Sequence, residues 1–239
     1  MAALVMILTG AHIWTLKDGT PHPTGFWVDE FVFPHRIFTA AGINVKVATP
    51  GGVTPAGDEL SLSLAYNDND PGIIEDQRGY LKQHERLLGS TLALESVDAA
   101  SFDGAFIVGG HGPMQDLAVH PTLGDLLSRM LDDPDKVVAA VCHGVAGFLP
   151  AHRADGTWLF RGRELTGFSN EEETAATFAG NAPWLLEDRL RLAGARYQAK
   201  PAWSSHVIVD GNLVTGQNWE SAEDAAHAVL KQLRIPVPT

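Results

Sequence analysis

The stretch VVAAVCHGVAGF, Val137 to Phe148, decides the fold. Its first half, Val137 to Val141, is small and β-branched and reads as a buried strand. The run breaks at Cys142 and resumes from His143 to Leu149 with a helix-like pattern. A residue on such a strand-to-helix turn, with small neighbours such as Ala140, Gly144 and Ala146, has the setting of a nucleophile elbow. Cys142 is the only cysteine in 239 residues, so no internal disulfide forms and nothing points to an oxidising compartment. A cysteine without context is a small buried hydrophobe. The elbow favours a nucleophile, and the N-terminus of the following helix would favour its thiolate. An exposed thiolate of that kind would also be prone to oxidation.

Outward from this stretch, strands and helices alternate. Leu4 to Leu8 reads as a buried first strand rather than a signal peptide, because no Lys or Arg precedes it. Trp27, Phe31, Phe38 and Ala41 recur at helical spacing and predict a helix from Phe26 to Ala41, kinked at Pro34. Asn44 to Thr49 is the second strand. Gly51 to Gly72 is a long loop, functional or disordered by its length. A helix is expected over Glu75 to Leu88. Gly104 to Gly112 is a strand entering a Gly-rich turn, Leu123 to Leu131 a helix, and Trp184 to Ala193 another. His206 to Gly216 is a hairpin around Asp210-Gly211. The last helix starts at Ser221, with Asp224 completing a capping box, and runs to about Leu233. This alternation predicts an α/β fold with a mostly parallel sheet, and residues 1–239 as one domain. In such folds the site lies beyond the C-terminal ends of the strands.

Bulk composition narrows the function. The chain is 45% hydrophobic, with a formal net charge of −12. That balance argues against nucleic acid or anionic membrane as partners, since both need clustered Lys and Arg. No run reaches the roughly 20 apolar residues of a membrane span. A cytoplasmic location is the default expectation. The ten histidines include no HExxH or HxH pair, so no metal site is argued. No GxGxxG or Walker loop supports a nucleotide cofactor.

Polar chemistry gathers on three loops predicted to meet at one rim. His143, next to the elbow, can offer its N–H to an oxyanion and its ring as acid or base. Glu30 falls on or near the apolar stripe of its helix. It either snorkels outward, or is buried, stays protonated and donates to the sulfur. Gly110 in GGHG lacks a Cβ that would block a substrate oxygen, and His111 is a pocket wall or a donor. Glu171, Glu172 and Glu173 form an acidic helix start capped by Ser169 or Asn170. One of the three could orient His143, and spacing does not choose among them. Trp14 and Trp27 are near enough to the rim to line a pocket.

GAFIVGGHGPMQDL, VVAAVCHGVAGF, LTGFSNEEE and VIVDGNLVTGQN resemble the ThiJ/PfpI superfamily, with its class I glutamine amidotransferase-like fold. TGFWVDEFVFPHRIF resembles the subgroup of glutathione-independent glyoxalase III enzymes and stress-inducible holding chaperones. The resemblance implies a flavodoxin-like three-layer sandwich, a homodimer, a cysteine nucleophile at Cys142 with His143 beside it, and a helix glutamate at Glu30. Counted from TGF, the acid that pairs with the histidine falls on Glu173. Trp219, after GQN, departs from the family pattern of a small residue or Pro, and is expected to affect packing or the dimer surface but not chemistry. The function implied is conversion of methylglyoxal, a small aldehyde, to lactate without any cofactor. A thiol amidase or peptidase, a holding chaperone and a protein deglycase stand as alternatives.

Overall fold

The computed structural model describes residues 2–237. Seven strands form the central sheet: β1 (Ala3–Ile7), β2 (Asn44–Thr49), β3 (Leu92–Ala93), β4 (Gly104–Ile107), β5 (Val137–Val141), β6 (Val207–Asp210) and β7 (Leu213–Gly216). Their order is β6-β7-β5-β4-β1-β2-β3, and every pair is parallel except the β6–β7 hairpin. β1, β4 and β5 are covered on both faces, which explains why they read as unbroken apolar runs.

One face is covered by α1 (Val28–Ala40), α2 (Pro71–Gln83) and, at the far end of the chain, the helix Ala222–Gln232, with Phe31, Phe38, Ala226 and Val229 in its core. The other carries Pro121–Leu131 and Leu186–Ala193, with Leu123, Leu127, Leu186 and Leu190 buried against the sheet. This is a flavodoxin-like three-layer arrangement. Among the described residues no helix is long and apolar enough to cross a membrane.

Several boundaries differ from the sequence reading. Helix α1 begins at Val28, not Phe26. The Phe26 N–H donates to the Ala56 carbonyl at 2.9 Å and its carbonyl accepts from Asp58, which holds this residue extended. The helix runs on through Pro34 to Ala40. The expected helix over Glu75–Leu88 instead starts at Pro71, because Asp70 caps it through the Gly72 N–H at 2.7 Å and Pro suits the first helical turn. It ends at Gln83, and Glu85–Leu88 is a separate turn. The long 51–72 loop is knitted together by side chains, with Asn67 donating to the carbonyls of Ser61 and Ser63 at 2.8 Å. The capping box expected at Ser221 does not form. Ser221 Oγ donates to Asn218 at 2.8 Å instead, leaving its helix without a side-chain cap. Two short ribbons, Ile13–Thr15 with Pro21–Pro23 and Glu164–Leu165 with Arg196–Tyr197, are too brief to leave a period in the sequence.

Candidate active site

β5, β4 and β1 are neighbours at the middle of the sheet, so the loops leaving their C-terminal ends converge. The loop after β5 carries Cys142 at φ +55, a left-handed conformation that non-glycine residues rarely adopt. The segment after it is not an α-helix. Cys142–Phe148 is a seven-residue 3₁₀ run, buried throughout, because Gly144 lies directly against the carbonyls of Ile107 and Val108.

The loop after β4 needs glycine twice. A Cβ on Gly109 would lie 2.5 Å from the Glu30 carboxylate and 2.7 Å from Cys142 Cβ. Gly110 sits at φ +88, and a Cβ there would meet the Gly25 carbonyl at 2.5 Å. With both side chains absent, the Gly109 N–H donates to Glu30 Oε2 at 2.7 Å, and the Gly110 and His143 N–H groups are directed at the sulfur. The loop after β1 leads to α1, whose first turn presents Glu30 inward with no solvent exposure. Of the two positions the sequence allowed, the structure places Glu30 in the buried one.

Burial pushes the Glu30 carboxyl up to about 8, with the thiol and the Gly109 N–H opposing that rise. Oε1 has no hydrogen-bond partner among the described residues. The thiol does not follow the sequence expectation. Burial first, and the Glu30 charge second, push it well above its ordinary value. Cys142 is 2% exposed, so it is neither an exposed nor a ready-made thiolate. A short 3₁₀ run offers too little dipole to outweigh that burial. Glu30 and Cys142 therefore titrate as one pair.

His143 Nδ1 lies 3.4 Å from Sγ, and its Nε2 lies 2.7 Å from Glu173 Oε2. His111 Nε2 approaches the other oxygen, Oε1, at 2.9 Å. Two imidazole N–H groups pointed at one carboxylate hold Glu173 well below the usual range, against the burial that opposes it. Burial lowers His143. Its neutral tautomer thus carries the proton on Nε2 and turns the bare Nδ1 toward the sulfur. Of the three consecutive acids, Glu172 completes a capping box with Ser169 at 3.2 Å, and Glu171 stays exposed. Glu173 alone remains to reach the histidine. The atoms of His111, His143 and Glu173 also lie within 4.8 Å of one another, close enough to share an ion. The two hydrogen bonds they make satisfy the same atoms.

Above the sulfur is an apolar hollow with a free volume of about 20 Å³, little more than one water needs. Trp27, Tyr66, Phe168, Phe178 and Trp219 line it. Trp219 corrects the sequence reading, since it reaches the site itself, stacked between Trp27 at 5.2 Å and Trp203 at 4.7 Å. Trp14 does not line the hollow; it stacks behind His111 at 4.5 Å. His111 is a wall whose Nε2 is already engaged. Tyr66, Phe168 and Phe178 were missed because they come from separate loops with no shared pattern.

A model of the DJ-1/PfpI family matches residues 24–232. The chain belongs to the DJ-1/PfpI family. Within it, the chain is 34% identical to a bovine (Bos taurus) relative, glutamine amidotransferase-like class 1 domain-containing protein 1, over 80% of this chain and 81% of the relative. It is 30% identical to the glutathione-independent glyoxalase HSP31 of Saccharomyces cerevisiae, over 93% of this chain and 94% of that one. Among solved structures, the Rapid Encystment Protein of Francisella tularensis superposes with a TM-score of 0.85 at 28% identity, covering 98% and 99% of the two chains. These matches cover between 80% and 98% of this chain.

Proposed function

We propose that this DJ-1/PfpI protein is a cysteine-dependent glyoxalase that converts methylglyoxal to lactate without glutathione. The observation that carries this reading is the Glu30–Cys142–His143–Glu173 chain of contacts beneath an apolar, aromatic-lined hollow. Relatives named as glutathione-independent glyoxalases support it.

The geometry supports the following roles. His143 Nδ1 takes the thiol proton, and Sγ bonds to the aldehyde carbon as the C=O opens. The Gly110 and His143 N–H groups hold the oxygen that gains the electron pair. The oxygen is then protonated from His143, giving a hemithioacetal. Glu30, with a pKa of about 8, suits both loss and gain of a proton near neutrality. It removes the proton from the thiol-bearing carbon and, through an enediol, returns one to the neighbouring carbon, while His143 carries the hydroxyl proton from the first oxygen to the former ketone oxygen. The product is a thioester of lactate. Water cleaves it, releasing lactate and the thiol, so the net change is addition of one water. Glu173 positions His143 and fixes its tautomer, with His111 on its other oxygen.

The test is lactate formation from methylglyoxal, with no glutathione or metal added, for the native chain and for Cys142→Ala. Turnover that disappears in the variant is expected. No turnover in either sinks the reading and moves the assignment to another thiol hydrolase or to a chaperone.

A further inference from the structure

Next to the hollow lies a second, wider cavity of about 340 Å³ that the proposed reaction does not use. Five carboxylates border it: Asp29, Asp68, Glu220, Glu223 and Asp224. No Lys, Arg or His lines it, and among the described residues none of the five is in a salt bridge. Phe33, Tyr66 and Trp219 supply aromatic walls, and the last two are shared with the hollow over Cys142.

An independent feature lies at its floor. Gln77 is 1% exposed, and its Nε2 donates to Asp29 and to Asn67, both of which also border the cavity. Gln77 Oε1 is buried and has no partner. Asp29 is 5% exposed, and burial, then Glu220, pushes its carboxyl up to about 7. Gln77 engages only Oδ1 of Asp29, and Oδ2, which accepts no hydrogen bond among the described residues, is left to the cavity. A carboxylate beside it asks for positive charge, and the aromatic walls suit an organic cation.

We infer that this cavity binds a small organic cation bearing N–H donors, a primary ammonium group on an apolar or aromatic body. The ammonium would donate to Asp29 Oδ2, and the body would pack on Tyr66 and Trp219. An inorganic ion fits less well. Among the described residues, only His111, His143 and Glu173 bring ligand atoms close enough to share one. The walls common to both cavities put such a ligand beside the reactive sulfur.

Calorimetric titration of the full chain with benzylamine tests this, with benzyl alcohol as the neutral isostere and Ca²⁺ as the inorganic competitor. It does not depend on turnover. Saturable binding of benzylamine is expected, at least about tenfold tighter than benzyl alcohol. Asp29→Asn should weaken it about tenfold, and the exposed pair Glu220→Gln with Glu223→Gln should weaken it less while reducing its salt dependence. Circular dichroism confirms that each variant is folded, and the exposed pair serves alone if Asp29→Asn is not. Equal affinity for benzyl alcohol, tighter binding of Ca²⁺, no benzylamine binding, or binding unchanged in the exposed pair overturns the proposal.

Discussion

At the scale of single residues, the proposed chemistry depends on how Glu30, Cys142, His143 and Glu173 hold their protons. Glu30 and Cys142 are both buried; the Glu30 charge raises the cost of ionising the thiol, while the thiol's hydrogen bond eases ionisation of Glu30. In the proposed reaction, Glu30→Gln keeps the shape and removes the acid–base group. Activity on methylglyoxal should fall about 10²-fold or more, measured as kcat/KM, with Glu173→Gln losing a comparable factor through the wrong His143 tautomer. The hollow also makes Cys142 slow to react with outside reagents. Trp219→Ala opens its roof, so alkylation by iodoacetamide should quicken at least about tenfold, followed by mass spectrometry. Unchanged alkylation would mean that Trp219 does not cover the sulfur.

At the scale of elements, the site depends on where helices start. Ser169 caps the Asn170–Ala175 helix and engages Glu172 reciprocally, so the next residue turns toward the histidines. Ser169→Ala should cost about 1 kcal/mol in a thermal melt. It should also loosen His143, visible as a drop in kcat with little change in KM. A melt shift with kcat intact would make the cap purely structural. The β4 loop is equally constrained. Gly110→Ala must force a Cβ against the Gly25 carbonyl at a positive φ, so both stability and activity should fall. The signals legible in sequence were strong here. VVAAVCHG announced a strand and a turn. GGHG announced glycines, but not that Glu30, the Cys142 Cβ and the Gly25 carbonyl were the reason for them.

At the scale of the whole molecule, buried acids make stability depend on pH. Glu30 rises from 4.5 to about 8 and Asp29 from 3.8 to about 7 on folding. The native state therefore binds more protons than the unfolded state between these limits, so their contribution is full below about pH 4 and declines as pH rises to about 8. Over that window chemical denaturation should give a falling stability from this pair, and Glu30→Gln should flatten the part ending near 8. A slope unchanged in the variant would mean that Glu30 is ionised in the native state.

The sequence by itself determined the alternating α/β order, the buried central strands and the elbow cysteine, because these are written in local periodicity and in runs of small residues. With a family resemblance it also reached Glu30, His143 and Glu173. Only the tertiary structure decided that Glu172 is spent on a cap, that Trp219 roofs the sulfur while Trp14 stands behind, and that the thiol is buried rather than poised as a thiolate. Those outcomes depend on contacts between loops far apart in the chain, and on desolvation, which no local pattern of residues records.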